Sequence, residues 1–134
     1  MLETAKEAVE AAARAGAGYA DARLVKEESE SLTVRNQEME GIDRSVSEGV
    51  GIRVLVDGYW GFAATARTGA EDIRTTAELA VEVAKAASRL PREPVRLSEV
   101  EPAVATWESP MERDPFEVPL SEKVELLMEA SRRM

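Results

Sequence analysis

The sequence predicts an α+β fold: an antiparallel meander of four or five strands with two helices packed on one face, then a proline-rich strap and a terminal helix. Three observations carry this. Apolar residues recur with helical spacing over residues 2–15 and 70–89, and alternate with period two between residues 19 and 65. All eight glycines lie between Gly16 and Gly69, and all six prolines between Pro91 and Pro119. The first block therefore reads as turns joining strands, the second as an irregular connection. Short turns between successive strands give an antiparallel meander; parallel pairing would need long crossovers.

The elements follow in order. Residues 2–15 place Leu2, Ala5, Ala8, Val9, Ala12 and Ala13 on one helical stripe, with Gly16 as the C-terminal cap. Residues 19–25 alternate Ala20, Ala22 and Leu24 with Asp21 and Arg23, and residues 31–35 alternate Leu32 and Val34 with polar neighbours. Asn36-Gln37 reads as a turn, and residues 38–44 as a weaker strand bulged at Gly41. Residues 49–56 form the clearest strand, with Val50, Ile52, Val54 and Val56 on one face. Asp57-Gly58 is a type I′ hairpin signal, returning the chain through residues 59–65. A second helix carries Ile73, Ala77, Ala80, Ala84 and Ala87 on a narrow stripe and is stopped by Pro91.

Residues 1–90 are thus one α+β domain, and 91–120 a strap anchored by Val95, Leu97, Trp107 and Phe116. Residues 121–134 start a following unit, with Ser121 as N-cap of a helix carrying Val124, Leu127 and Met128. An amphipathic helix with nothing after it to cover its apolar side reads as the mark of a truncated chain.

Composition excludes several function classes. The 134 residues carry 17 basic and 26 acidic side chains, a net charge of -9, which argues against nucleic acid as a partner. No apolar run approaches the roughly 20 residues that span a bilayer, and the first residues lack a leader pattern, so a membrane is not expected and a cytoplasmic location is. Cysteine and histidine are both absent. That removes disulfides, Ser–His and Cys–His catalysis and the usual zinc donors, so neither a catalytic residue nor a cofactor or metal ligand is assigned to this chain.

Candidate motifs weigh towards structure. Gly49-Val50-Gly51 is half of a dinucleotide fingerprint, but its third glycine is replaced by Val54 and a strand follows where a helix should. Glu27, Glu28, Glu30, Glu38 and Glu40 sit near turns and strand ends and read as solvated charge. Trp60 and Phe62 share a strand face with Ala64 and read as core. The edge strands at residues 19–25 and 59–65 could accept an extended peptide as an added strand.

Residues 19–66, with Tyr19-Ala20-Asp21 after an Ala/Gly-rich helix, Ser31-Leu32 before a charged turn, and the run GVGIRVLVDGYWGF, resemble the N-terminal domain of the TldD/PmbA family. The helix at 70–89 and the stretch DPFEVPLSEKVELL extend the resemblance over nearly the whole chain. The strongest positions, Gly49, Gly51, Asp57, Gly58, Trp60, Gly61 and Phe62, are structural ones. The resemblance implies a zinc metallopeptidase, also known as a modulator of DNA gyrase, several times longer than this chain. Its metal motif, H-E-x-x-x-H with a later cysteine, has no counterpart here. It further implies that these residues are the non-catalytic front of a subunit that pairs as a homo- or heterodimer and acts on polypeptides. Their task would be to wall the cleft, hold the partner or present a sheet edge. The competing reading is a stand-alone acidic protein-interaction module without catalysis.

Overall fold

A computed structural model describes residues 2–134. Along the chain run α1 (Leu2–Arg14), β1 (Tyr19–Arg35), β2 (Glu38–Val56), β3 (Tyr59–Thr65), α2 (Ala70–Ala87) and α3 (Leu120–Arg133). The strands form one antiparallel sheet in the order β1-β2-β3. The fold is the expected α+β meander, with three long strands in place of four or five. Residues 19–25 and 31–35 are the two ends of β1, and residues 38–44 and 49–56 the two ends of β2. Between them, residues 26–30 and 45–48 are mostly polar on both faces, so the alternation fades. The chain has no glycine or proline there to turn it, and the backbone simply continues.

The residues divide into two compact units, and both β1 and β2 contribute to each. The first unit comprises the residues up to Glu27 together with Ser47–Glu99. Its core is made by Val50, Ile52, Val54 and Val56 of β2, Ala63 of β3, and small faces of α1 (Ala8, Ala11, Ala12) and α2 (Ile73, Ala77, Ala80, Val81, Ala84). Ala20, Ala22 and Leu24 of β1 pack against it. Helix α2 lies on β3, and α1 on α2. Alanine-rich faces permit this close approach, and Gly61 of β3 takes it to the limit. A Cβ at Gly61 would lie 2.0 Å from the Ala80 carbonyl oxygen and 2.6 Å from the Ala84 nitrogen.

Helix α1 ends as expected. Gly16, at φ 107, donates to the Ala13 carbonyl and Ala17 to the Ala12 carbonyl, both at 3.0 Å. This doubly bonded glycine cap satisfies two of the helix's terminal carbonyls. Its stripe is turned slightly from the expected one: Ala11 is buried, whereas Leu2 and Ala13 are exposed. The hairpin turn has positive φ at Asp57 (51) and Gly58 (85), as type I′ requires. The start of the strap is laid over this turn. Val95 N–H donates to the Gly58 carbonyl at 2.7 Å, and the Tyr59 hydroxyl donates to the Arg92 carbonyl at 2.9 Å.

The second unit comprises Glu28–Val46 and Val100–Met134, and none of its side chains is buried. Its hairpin turns at Asn36 (φ 49) and Gln37 (φ 65), again in the left-handed region. Cross-strand pairs hold the polar ladder: the Ser29 and Ser45 hydroxyls are 2.8 Å apart, and Arg44 Nε donates to Glu28 at 2.9 Å. That hydrogen bond, and then the carboxylate's charge, raise the Arg44 pKa. Helix α3 reaches the hairpin tip, where Gln37 N–H donates to the Ser131 hydroxyl at 3.0 Å. Phe116 lies within cation–π range of Arg44 (5.7 Å) and Lys123 (5.9 Å), and Lys123 pairs with Glu30.

Ser121 does not cap α3, contrary to the sequence expectation. The helix begins two residues earlier than that cap implies, at Leu120, and Pro119 occupies the cap position. The Pro119 carbonyl accepts from Glu122 and Lys123 N–H at 3.0 and 3.3 Å. Arg113 then closes on Glu122 through two bonds of 2.8 and 2.9 Å, which lower the Glu122 pKa. Among the strap's expected anchors, Trp107 is 81% exposed and Phe116 37%.

Candidate functional site

Strand alternation decides which surface of the first unit is available. Val50, Ile52, Val54 and Val56 point to the helices, so Gly51, Arg53 and Leu55 point away from them. The β2–β3 register pairs Gly51 with Ala64, Arg53 with Phe62 and Leu55 with Trp60. Directly paired residues share a face, so Ala64, Phe62 and Trp60 stand on this open face too. From β1, Tyr19, Asp21, Arg23 and Val25 alternate with the core-facing Ala20, Ala22 and Leu24.

The face is organised around Arg53. Its guanidinium lies 4.6 Å from the Trp60 ring centroid and bonds Asp21 Oδ2 at 2.8 Å. The Asp21 hydrogen bond and then its charge raise the Arg53 pKa, so Arg53 stays charged at any physiological pH. Tyr19 meets Trp60 edge to face at 6.0 Å. Beside this cluster lies a groove of about 310 Å³ lined by Asp21, Arg23, Val25, Gly51, Arg53 and Phe62. Gly51 gives it a low floor: a Cβ there would come within 3.2 Å of the Phe62 ring.

The seven family-motif positions separate into four places. Gly51, Trp60 and Phe62 meet on the open face. Asp57 and Gly58 make the turn, where a Cβ on Gly58 would strike Pro94 at 2.4 Å. Gly61 passes beneath α2, and Gly49 lies against β3, its Cβ position 3.2 Å from the Thr65 carbonyl oxygen. Trp60 and Phe62 are not core residues, as the sequence suggested: Phe62 is 60% exposed. Both belong to the strand face that the helices do not cover. Sequence reasoning missed Arg53 as the organising residue, although period two from Ile52 already sets it opposite the core.

The carboxylates near the turns are mostly paired: Glu28 with Arg44, Glu30 with Lys123, and Glu40 with Arg35 at 3.3 Å. Among the described residues no three acidic side chains converge on a metal-sized site. Without histidine or cysteine, the donor set in this chain does not fit the zinc that the resemblance implies.

These features define a two-layer α+β domain with one open sheet face and, among the described residues, two unpaired sheet edges. Residues 20–84 match the family description "PmbA/TldA metallopeptidase domain 1". A metalloprotease of Methanocaldococcus jannaschii is 25% identical over 116 residues, covering 87% of this chain and 26% of its own length. The solved structure of a candidate modulator of DNA gyrase from Bacteroides thetaiotaomicron superposes with a TM-score of 0.76 at 16% identity, covering 98% of this chain and 30% of that one. TldE from Thermococcus kodakarensis superposes at 0.71 and 16% identity, over 96% and 30%. The N-terminal domain of the TldD/PmbA family is thus what residues 20–84 match in sequence, and the two solved structures share the fold over nearly the whole chain. It spans under a third of the length of each of these relatives. No helix among the described residues is long and apolar enough to cross a membrane.

Proposed function

We propose that residues 1–134 are the non-catalytic N-terminal domain of a cytoplasmic, dimeric metallopeptidase subunit, and that they present a sheet edge to extended polypeptide. The parent activity is zinc-dependent peptide hydrolysis, with the metal held by residues outside these 134. The observation that carries the reading is the three-stranded sheet itself: among the described residues β1 and β3 have unpaired outer edges, and the face beside them is open. Such an edge binds main chain with little demand on sequence, which suits a peptidase of unfolded substrates. The match of residues 20–84 to a metallopeptidase domain supports the parent activity, and the lack of histidine and cysteine in these 134 residues is consistent with a supporting part for them.

The test compares the full product of the reading frame with residues 1–134 alone, by metal content and by hydrolysis of an unstructured polypeptide. Stoichiometric zinc and chelator-sensitive hydrolysis are expected in the longer product, and neither in residues 1–134. Hydrolysis by residues 1–134 alone would overturn the proposal. A frame that closes at Met134 would leave an acidic protein-interaction module.

A further inference from the structure

Helix α2 has two apolar flanks, and only one of them is covered. Its Ala80 carbonyl oxygen and Ala84 nitrogen rest against Gly61 of β3. A helix turns about 100° per residue, so the sequence neighbours of these two alanines diverge to opposite sides. Val81 and Lys85 turn to the flank that carries α1: Val81 is buried, and Lys85 Nζ donates to the Ala15 carbonyl at 3.4 Å. Leu79 and Val83 turn the other way and are 51% and 41% exposed. With Thr75 and Ala86 they make an exposed stripe without a charge, while Glu71, Arg74, Glu78 and Glu82 lie elsewhere on the helix. Helix α1 stands over the β1–β2 side, because its alanines share the core with Ala20, Ala22 and Leu24. The uncovered stripe therefore overhangs the outer edge of β3.

That edge has main-chain groups to offer. The closing pair of the two-residue hairpin, Val56 and Tyr59, is hydrogen-bonded, and pairs alternate along the ladder. Trp60, Phe62 and Ala64 therefore direct their N–H and C=O groups outward, and among the described residues no backbone bond reaches them. We infer that the outer edge of β3 takes an extended polypeptide with an apolar side chain opposite Gly61, beneath Leu79 and Val83. The inference rests on the strand-presenting reading above, assigns it to β3 and adds a side-chain preference. A residue opposite Gly61 shares its helix-side face, and Gly61 leaves that place free of any side chain of its own. Its two neighbours point to the open face, beside Trp60 and Phe62. The occupant is a lone strand and not a second copy. A copy pairing through the same edge would bring its own α2 over its own β3, one strand spacing of about 4.8 Å away, whereas packed helices stand about 8–10 Å apart. A seven-residue edge beside two large apolar side chains also falls short of the roughly 800 Å² per partner of a stable interface between folded chains.

The experiment titrates the nitrogen-15-labelled 134-residue chain with two blocked peptides and follows its amide resonances. Both probes have the sequence Thr-Thr-X-Thr-Thr, acetylated and amidated, with Leu or the similarly shaped Asn at X. Both are expected to shift the amides of Trp60, Phe62 and Ala64. The Leu peptide is expected to bind about five- to tenfold more tightly, as partial burial of one leucine allows. Leu79→Gln combined with Val83→Thr should abolish that preference and leave binding of the Asn peptide unchanged. Both side chains are exposed, so the double variant should keep the parent far-ultraviolet spectrum. Equal binding of the two peptides, or a preference untouched by the double variant, overturns the inference while strand presentation stands. Shifts of the three amides that follow protein concentration in the absence of peptide would give the edge to a second copy and overturn it too. No shift at these amides with either peptide overturns the inference and presentation by β3 together.

Discussion

Gly61 is the residue on which the layer spacing depends. A side chain there would need the space now held by the backbone of α2, because its Cβ would sit 2.0 Å from the Ala80 carbonyl oxygen and 2.9 Å from the Ala84 Cβ. Backbone cannot rotate away as a side chain can, so the helix would have to lift and open the core over Ile52 and Val54. Gly61→Ala is expected to cost more than about 3 kcal/mol, beyond ordinary overpacking. Gly41 gives the contrast, since nothing lies within 4 Å of its Cβ position. Gly41→Ala should stabilise by about 0.5–1 kcal/mol by removing backbone freedom from the unfolded chain. Denaturant unfolding of the two variants beside the parent checks both signs. The sequence marks Gly61 only as a small residue in an alternating strand. What makes it irreplaceable is the distance to a helix twenty residues later, which no local pattern encodes.

At the scale of elements, edge strand β3 offers a test that separates pairing from presentation. Ala63 and Ala64 are neighbours with opposite duties. Ala63 is buried and belongs to a hydrogen-bonded pair with Ile52, whereas Ala64 is exposed and directs its N–H outward. Proline is tolerated in an edge strand where the lost N–H faces solvent, and not where it removes a ladder bond. Ala64→Pro should therefore keep the fold while abolishing strand addition, read as loss of binding of a blocked, extended peptide. Ala63→Pro should lower the unfolding midpoint sharply, with loss of a buried hydrogen bond alone costing about 1–3 kcal/mol. The elements themselves show where sequence is eloquent. Asp57-Gly58 fixes its hairpin because positive φ leaves few residues to choose from. Residues 26–30 were opaque for the opposite reason, since a strand solvated on both faces has no hydrophobic period to reveal it. The cap of α3 lies two positions before Ser121 because a hydroxyl is only a local cue, while the bond from Arg113 to Glu122 is made by tertiary geometry. On the candidate site, the edges and the open face followed from alternation. The Arg53–Asp21 bond and the Gly51 floor beneath Phe62 required strand register, which the sequence does not state.

The distribution of burial divides the molecule's stability. Every buried side chain among the described residues belongs to the first unit, from Ala8 through Ala84. The second unit relies on the Glu28–Arg44, Glu30–Lys123 and Arg113–Glu122 pairs, the Phe116 contacts and a hairpin with a polar surface. Exposed ion pairs contribute about 0–1 kcal/mol each and weaken with salt, the more sheltered Glu30–Lys123 pair less so, whereas a fully buried isoleucine or valine contributes about 1.5–3 kcal/mol. The two units should therefore open at different free energies. Amide hydrogen exchange under native conditions is expected to show the slowest class at Val50, Ile52, Val54, Ala63 and Ala77. Residues 28–46 and 120–133 should exchange through sub-global opening at a lower free energy. Raising the salt concentration should widen the gap, because it screens the pairs of the second unit and leaves the apolar core of the first unharmed. A single exchange free energy across β2, from Glu38 to Val56, would show instead that the strand's continuity outweighs the uneven burial and that the molecule opens as one. The two ends of β2 make the comparison internal to one strand, with the same protein, pH and temperature for both, so the outcome depends on packing alone.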